Sequence, residues 1–219
     1  GDFVWNDLNA NGIQELGEPG ILLGLVELSA ADGALIASTT TDNDGNYLFS
    51  GLGIATYSIH VTMPIGYVAS PTNVGDNRAL DSNPNPSTVV LESGQSNLTI
   101  DFGFYQPAAI GDFVWNDLNA NGIQELGEPG ILLGLVELSA ADGALIASTT
   151  TDNDGNYLFS GLGIATYSIH VTMPIGYVAS PTNVGDNRAL DSNPNPSTVV
   201  LESGQSNLTI DFGFYQPAA

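Results

Sequence analysis

The chain has 219 residues, with 24 aspartates and glutamates against two arginines and no lysine, and a formal charge of −22. This acidity argues against nucleic-acid binding and against attraction to anionic membranes, because both need cationic side chains. Apolar residues make up 42% of the chain, enough to build a core, but every apolar run is far shorter than the ~20 residues that span a bilayer. Because cysteine and lysine are absent, disulfides, thiol nucleophiles, cysteine-ligated metals and Schiff-base chemistry are excluded.

The sequence is a tandem repeat. Residues 1–109 recur without a change as residues 111–219, and Ile110 precedes the second copy. The repeating unit therefore begins at an isoleucine, and we expect the chain to be a window of a longer array. Since a unit of this length can form a domain with its own core, we predict two domains, residues 1–109 and 110–219. The junction contains one proline and no glycine or serine run, which predicts a semi-rigid connection.

Apolar residues recur at every second position in short segments separated by Gly, Asn, Asp and Pro, a pattern typical of β-strands. No stretch holds an apolar helical stripe over two turns. One-sided strands bury their apolar faces when two antiparallel sheets stack face to face. The predicted fold is therefore all-β, with one β-sandwich of about seven or eight strands per repeat. In chain order, the predicted strands of the first copy are residues 2–6, 23–30, 34–41, 46–50, 56–63, 66–70, 87–92 and 98–104.

The segment that follows the first predicted strand matches a calcium-binding loop. Residues 7–18 fit the pattern D-x-[DN]-x-[DN]-G-x5-E at every position, and residues 117–128 repeat it. Calcium takes about six to eight oxygen ligands, so alternate side chains must converge on one point, and Gly12 permits the sharp turn that this needs. The predicted Ca²⁺ ligands are Asp7, Asn9, Asn11, the Ile13 carbonyl, Glu15 and Glu18, and in the second copy Asp117, Asn119, Asn121, the Ile123 carbonyl, Glu125 and Glu128. The alternative is a polar Asx-rich loop without metal.

Two further acidic clusters raise the same question. Asp42 and Asp44 lie between two predicted strands, where the Asp-Gly pair also predicts a plain hairpin turn. Asp76 and Asp81 lie in a long irregular stretch that a cation would hold in place. The alternative there is a flexible surface loop in which Arg78 pairs with an acid. The sequence does not decide whether the two clusters share an ion. Their counterparts in the second copy are Asp152, Asp154, Asp186 and Asp191.

Catalysis is not predicted. His60 lies on the polar side of its strand, and no recognisable motif pairs it with an activated serine. Trp5 and Tyr47 are expected in the core, with sugar stacking as the alternative. Identical adjacent copies bring little functional advantage to an enzyme. A stalk gains length from them, and a binding protein gains effective concentration.

Several spaced motifs occur in the same order in both copies and cover nearly all of each. In the first copy they are GDFVWNDLNANG at 1–12, EPG at 18–20, TDNDGNYLF at 41–49, PIGY at 64–67, ALDS at 79–82 and DFGFY at 101–105. Together they resemble the SdrD B-like repeat, a Cna-B-related β-sandwich of bacterial serine-aspartate-repeat surface adhesins. The resemblance implies a prealbumin-like Greek-key sandwich that binds several Ca²⁺ ions per domain. It maps the calcium loop onto the residues named above and further sites onto Asp42, Asp44, Asp76 and Asp81.

One departure from the related Cna-B domains concerns mechanical stability. Those domains can carry a Lys–Asn isopeptide bond, which a chain without lysine cannot form. We therefore expect the core and bound Ca²⁺ to carry this stability.

The predicted function is a calcium-rigidified structural repeat, in a stalk or an extracellular fibre, located outside a bacterial cell or on its surface. Expected partners are the neighbouring identical repeats, with filament assembly by strand addition as a further possibility. The alternative function is a multivalent binding module for a glycan or a protein, and the sequence does not identify that ligand.

Overall fold

A computed structural model describes residues 1–218 of the protein. The described residues form β-strands, turns and loops, and none of them belongs to a helix that could cross a membrane. Two compact units divide between Pro107 and Ala108, two residues before the predicted boundary. The difference arises because Ala108 already belongs to a strand of the second unit, where only 2% of its surface is exposed.

The first unit contains seven strands arranged in two sheets. One sheet has three strands in the order β1-β7-β5, and the other has four in the order β3-β2-β4-β6. The strands are β1 Val4–Asn6, β2 Leu25–Ala30, β3 Leu35–Thr40, β4 Ala55–Val61, β5 Val68–Ala69, β6 Ser87–Leu91 and β7 Phe102–Tyr105. The predicted all-β sandwich is confirmed, and the strand count agrees with the prediction.

The second unit repeats this architecture with two additional strands, β11 and β15. One sheet has the order β10-β9-β12-β14, and the other has the order β11-β8-β16-β13, with β15 also paired to β8. The strands are β8 Ala108–Asn116, β9 Leu135–Ala140, β10 Leu145–Thr150, β11 Asn156–Leu162, β12 Thr166–Val171, β13 Val178–Ala179, β14 Ser197–Val200, β15 Ser206–Asn207 and β16 Phe212–Tyr215.

The core lies between the two sheets of each unit and follows the predicted alternation. Tyr57, Ile59 and Val61 of β4 are buried, and Trp5 and Tyr47 belong to the core as expected. The predicted strand at 56–63 would place Met63 on the same face by alternation, but Met63 is 51% exposed, because β4 ends at Val61 and the regular alternation ends with it.

The pairing of the first and last strands departs from the predicted antiparallel arrangement. Strands β1 and β7 are parallel, with Val4 opposite Phe102 and Asn6 opposite Phe104. Parallel neighbours need a long connection, and here the rest of the unit provides it. The prediction of purely antiparallel sheets is therefore wrong for this pair, and β8 and β16 repeat the difference in the second unit.

The two identical sequences do not form identical strands. The predicted strand at 46–50 has its counterpart in β11 of the second unit, which pairs with β8. In the first unit the same segment is reduced to one isolated bridge between Phe3 and Asn46. The predicted strand at 98–104 is also shorter than expected, since β7 begins at Phe102.

Candidate metal centre

The 7–18 loop leaves β1 and returns to it. Asp7 N donates to Phe104 O over 2.8 Å at the start of the loop, and Asn6 N donates to Pro19 O over 2.8 Å at its end. An isolated bridge between Trp5 and Gly20 completes this closure. The two ends of the loop are thus fixed to the β-sandwich rather than to flanking helices.

Asp7 is the buried anchor of the loop. Its side chain is fully buried, and its two carboxylate oxygens accept hydrogen bonds from Asn11 N at 3.2 Å and from Gly12 N at 2.8 Å. Gly12 has a φ of 77°, in the left-handed region that favours glycine. The sharp turn expected at Gly12 is therefore present, and it bends the loop around the Asp7 carboxylate.

Two glutamates close the other side of the loop. Glu18 accepts hydrogen bonds from Leu8 N at 2.9 Å and from Glu15 N at 3.0 Å. Burial raises the pKa of Glu18, and the negative charges of Asp7 and Glu15 raise it further against the effect of these hydrogen bonds. The carboxylates of Asp7 and Glu15 are therefore close enough to Glu18 to repel its negative charge.

The two asparagines bind both the loop backbone and Glu15. Asn9 Nδ2 and Asn11 Nδ2 donate to Glu15 at 2.6 and 3.3 Å. Their Oδ1 atoms accept from Asn11 N at 3.0 Å and from Ile13 N at 2.7 Å. An amide oxygen that accepts one hydrogen bond keeps a second lone pair for another partner.

Ile13 joins the loop to the long segment that contains Asp81. Gln14 N donates to Leu80 O at 2.7 Å, and Ser82 N donates to Gly12 O at 2.8 Å. These two bonds lie on either side of the bridge between Ile13 and Asp81. Their acceptors are the carbonyl oxygens of Leu80 and Gly12, and neither bond uses the Ile13 carbonyl. The structure thus brings Asp81 beside the residue predicted to supply the main-chain ligand.

Asp81 combines complete burial with an unsatisfied oxygen. Its Oδ2 accepts from Arg78 Nη1, while its Oδ1 has no hydrogen-bond partner. The Asp191 carboxylate repeats this, with 2.6 Å between Arg188 Nη1 and Oδ2 and no partner for Oδ1. The ion pair that the sequence offered as the alternative to a cation is present. This ion pair still leaves the Oδ1 atoms of Asp81 and Asp191 buried without a hydrogen-bond partner.

The remaining predicted ligands lie elsewhere or are exposed. Asp42 stabilises the turn of its own segment, accepting from Asn46 N at 2.8 Å and from Asp44 N at 3.0 Å. These hydrogen bonds lower its pKa. The segment is therefore a hairpin-type turn, as the Asp-Gly alternative predicts. Asp44 and Asp76 have exposed side chains.

The second unit reproduces this geometry in the 117–128 loop. Asp117 accepts from Asn121 N at 3.2 Å and from Gly122 N at 2.8 Å. Glu128 accepts from Leu118 N at 2.9 Å and from Glu125 N at 3.1 Å. The bridge between Ile123 and Asp191 is present as well, whereas Asp152 stabilises the same kind of turn as Asp42.

The donor set fits a hard cation only if oxygens other than carboxylates take part. Among residues 1–218, no three His, Cys, Asp or Glu side chains are grouped closely enough to hold a metal ion. The 7–18 loop adds two amide oxygens and one main-chain carbonyl to its three carboxylates. All of these are oxygen donors of the kind that Ca²⁺ prefers, and no cationic side chain lies within the loop.

Each unit contains one buried acid that was not predicted as a site residue from the sequence, Asp101 in the first and Asp211 in the second. Burial is the main cause that raises the pKa of Asp101 to about 7, and the negative charge of Asp2 is the second. In the same way, burial and then the negative charge of Asp112 are the two largest causes that raise the pKa of Asp211 to about 8. In the predicted strand at 98–104, alternation puts Asp101 on the face opposite the apolar residues, but the strand begins only at Phe102. The DFGFY motif was the one signal that singled this residue out.

His60 is exposed on β4, as expected from its place among polar residues. Its Nδ1 lies 3.5 Å from Glu27 Oε2 across the sheet, with about half of the His60 side chain exposed. This is an exposed surface contact of the kind that contributes little to stability.

Comparison with known families gives a match over nearly the whole chain. The SdrD B-like domain matches residues 1–104 and again residues 108–214. The chain belongs to the SdrD B-like domain family. The resemblance drawn from the spaced motifs is thereby confirmed, and each matched range falls within one structural unit.

The similar proteins are much longer than this SdrD B-like pair. Serine-aspartate repeat-containing protein F of Staphylococcus epidermidis is 41% identical over 217 residues, covering 99% of this chain and 13% of that protein. Serine-aspartate repeat-containing protein D of Staphylococcus aureus (strain Newman) is 38% identical over 219 residues, covering 99% and 16%. The chain thus spans less than a fifth of the length of these relatives.

Two solved structures align over most of their own length. The minor pilin GBS52 of Streptococcus agalactiae covers 99% of this chain and 95% of its own, with 13% identity and a TM-score of 0.38. The shaft pilin SpaA of Lactobacillus rhamnosus GG covers 99% and 96%, with 12% identity and a TM-score of 0.35.

Proposed function

We propose that this SdrD B-like pair is a calcium-stiffened structural repeat that contributes to a stalk or an extracellular fibre. The observation that carries the proposal is the 7–18 loop, where the buried Asp7 carboxylate accepts a hydrogen bond from Gly12 N and the Glu18 carboxylate accepts one from Glu15 N. Asp7, Asn9, Asn11, Glu15, Glu18 and the Ile13 carbonyl would hold the ion, and Asp81 stands beside them.

The coarser part of this function follows from the family. Membership of the SdrD B-like domain family, with serine-aspartate repeat-containing proteins among the relatives, supports a structural repeat located outside the bacterial cell or on its surface. Identical neighbours suit this role, because each added copy extends the array without changing its chemistry. Association of such repeats into filaments forms part of the proposal.

Calcium would act on stability through charge and through loop order. A formal charge of −22 destabilises the compact state by self-repulsion, which each bound divalent cation offsets. The unfolded chain does not assemble the ligands of the loop, so binding free energy becomes folding free energy. At a calcium concentration a hundredfold above Kd, this stabilises each unit by about 2.7 kcal/mol.

Thermal unfolding in EDTA, followed by titration with Ca²⁺, tests the proposal. We expect Tm to rise by about 10–20 °C, the shift that about 2.7 kcal/mol gives a domain of this size. The variant Glu18→Gln with Glu128→Gln should lose most of this rise, because each loop loses its closing carboxylate.

The matched control is Glu92→Gln with Glu202→Gln, which removes the same charge from exposed positions outside the loops. This control should keep the full calcium response. A Tm that is the same with and without calcium, or one that both double variants alter equally, would contradict the calcium mechanism. The binding-module alternative, with a glycan or a protein as ligand, would then be the function to test.

A further inference from the structure

A groove lined by aliphatic side chains occurs in each unit, at the place where β2 begins and β4 ends. Its two walls are residues 21–25 and residues 62–65, and it encloses about 220 Å³. The second unit forms the same groove from residues 131–135 and 172–175, again with about 220 Å³. We call each of them the leucine groove. Since both copies build it from internal residues, the groove is a property of the repeat itself.

The leucine groove leaves large aliphatic side chains in contact with solvent. Leu23 is 68% exposed and Ile65 is fully exposed. The other exposed members are Leu22, Leu25 and Met63, and in the second unit Leu132, Leu133, Leu135, Met173 and Ile175. Neither wall contains a charged residue, although the chain as a whole has a formal charge of −22. An uncharged aliphatic surface of this kind is typical of an interaction site.

The backbone holds Leu23 in its exposed position at an energetic cost. Leu23 has a φ of 58° and Leu133 has a φ of 59°, both in the left-handed region. A side chain with a Cβ crowds the following carbonyl oxygen in this conformation, so glycine or asparagine is the usual residue there. The exposed leucine therefore favours neither the turn nor the core, and a role in binding explains it better than a role in folding.

Thr41 fixes the first wall of the groove. Its buried hydroxyl accepts a hydrogen bond from Gly24 N at 2.8 Å and donates one to Ile21 O. Its main chain adds two more bonds, from Leu23 N to Thr41 O at 3.2 Å and from Thr41 N to Gly24 O at 3.0 Å. This wall is therefore formed without a ligand, and a ligand would not have to order it.

An acidic turn adjoins the same wall. Asp42 follows Thr41 directly and Asp44 lies two residues further, and both side chains are exposed. The main chain of Asp44 also packs against Gly20, the residue before the wall, so closely that a Cβ on Gly20 would overlap Asp44 O. Neither arginine of the chain belongs to the groove or to this turn. Apolar surface and exposed carboxylates thus lie side by side.

We propose that the leucine groove binds a basic amphipathic peptide, with aliphatic side chains on one face and lysines or arginines on the other. The aliphatic face would enter the groove, as in other complexes of an amphipathic segment with an apolar groove, and the cations would lie near Asp42 and Asp44. The acidic chain attracts such a peptide over a longer range as well.

Charge favours this ligand over the two other candidates. A second copy of the chain would bring the same formal charge of −22 to a groove that already adjoins carboxylates. An anionic membrane would be repelled for the same reason. One groove in each unit also makes the chain multivalent, which raises its affinity for a ligand that carries several such segments. The inference does not depend on calcium, so Glu18→Gln with Glu128→Gln should bind the peptide normally.

Fluorescence anisotropy with a labelled peptide tests this inference. The probe is a peptide of about 18 leucines and lysines, spaced so that the leucines occupy one face of a helix. It is titrated with the 219-residue chain at constant calcium. We expect saturable binding of two peptides per chain, one for each unit. The affinity should fall at least about tenfold when the salt concentration rises from about 0.02 to about 0.3 M.

Leu23→Asn with Leu133→Asn separates binding from folding. Asparagine tolerates the left-handed conformation better than leucine does, so Tm should stay the same or rise. The affinity for the peptide should fall at least about tenfold, because each groove loses an aliphatic contact. The matched control is Leu35→Asn with Leu145→Asn, the same change at exposed positions at the start of β3 and β10. It should leave the affinity unchanged.

The other wall provides a second variant in case the change at Leu23 disturbs the turn. Ile65→Ser with Ile175→Ser alters side chains that are fully exposed, so the fold should be retained. The affinity for the peptide should again fall, since these side chains belong to the same groove.

Asp44→Asn with Asp154→Asn tests the acidic turn. This change should weaken binding about threefold and reduce the dependence on salt, because one carboxylate beside each groove is lost. Asp32→Asn with Asp142→Asn removes the same charge from exposed positions between β2 and β3 and between β9 and β10. That control should bind the peptide almost as well as the unmodified chain does.

Four results would overturn the inference. The first is the absence of saturable binding. The second is an equal loss of affinity in the groove variants and in their controls, since the peptide would then bind the acidic surface as a whole. The third is equal affinity for a peptide in which glutamine replaces every lysine, since the groove would then take a neutral apolar ligand. The fourth is a dimer of the chain without peptide that Leu23→Asn with Leu133→Asn abolishes in sedimentation, since a second copy would then occupy the groove.

Discussion

Replacing Gly20 and Gly130 by alanine is expected to unfold the protein or to lower its stability by more than about 4 kcal/mol per unit. A Cβ on Gly20 would overlap the main-chain carbonyl of Asp44, and a Cβ on Gly130 would overlap that of Asp154. Neither partner is a flexible side chain that can move away. Because Gly20 has no positive φ, the loss would come from this steric overlap and not from a forbidden backbone conformation.

The matched control for this prediction is Gly53→Ala with Gly163→Ala. A Cβ at either position meets no atom within 4 Å, and neither glycine has a positive φ. These changes should be neutral or stabilise each unit by up to about 1 kcal/mol, through the reduced entropy of the unfolded chain. Urea unfolding followed by tryptophan fluorescence compares the midpoints. Similar midpoints for the two double variants would refute the steric argument.

The second large effect concerns pH. We expect the free energy of unfolding in EDTA to fall as pH rises from about 4 towards 8, because Asp101 and Asp211 bind protons more tightly in the folded state. Their pKa values are raised from 3.8 to about 7 and about 8. A raised pKa stabilises the folded state while the group is protonated. The contribution is complete below the unfolded pKa and is lost as pH rises through the folded one.

Because of the raised pKa values of Asp101 and Asp211, the free energy of unfolding of each structural unit should fall by up to about 1 kcal/mol for each step of one in pH. Asp101→Asn with Asp211→Asn should remove it, since an amide keeps the shape of the carboxyl group but does not titrate. General self-repulsion of the acidic chain also varies with pH, so the comparison is with Asp32→Asn and Asp142→Asn at exposed positions. Parallel stability curves for the two double variants between pH 5 and 8 would show that the buried pair is not the source.

The positions of most strands could be predicted, because period-two alternation reports burial on one face. Tyr57, Ile59 and Val61 illustrate this. The alternation did not show where a strand ends, so Met63 and Leu98 were assigned to strands that stop at Val61 or begin at Phe102. It also gave no information on strand direction, which depends on the long-range return of the chain from β1 to β7.

The local geometry of the candidate site could be predicted from the sequence, whereas the placement of distant residues could not, and calcium binding itself stays a prediction. The 7–18 loop follows from spacing alone, because its residues are fixed to one another by short-range hydrogen bonds. The positions of Asp42 and Asp81 depend on how remote segments fold onto the loop. Asp81 joins Ile13 through a bridge, whereas Asp42 stabilises its own turn. Residues 46–50 and 156–160 also could not be assigned from local sequence alone. These identical segments form a strand in the second unit and only an isolated bridge in the first, because their neighbours differ.

The parallel pairing of β1 with β7 has a mechanical consequence. The chain enters this strand pair at one end and leaves it at the opposite end, with Phe102 N donating to Phe3 O and Asp7 N to Phe104 O. Tension applied through the termini of a unit therefore acts along both strands and loads their hydrogen bonds together, in shear. Antiparallel terminal strands would instead be peeled apart one bond at a time. Each unit thus resists extension with several bonds at once, which is the load that a stalk or a fibre carries.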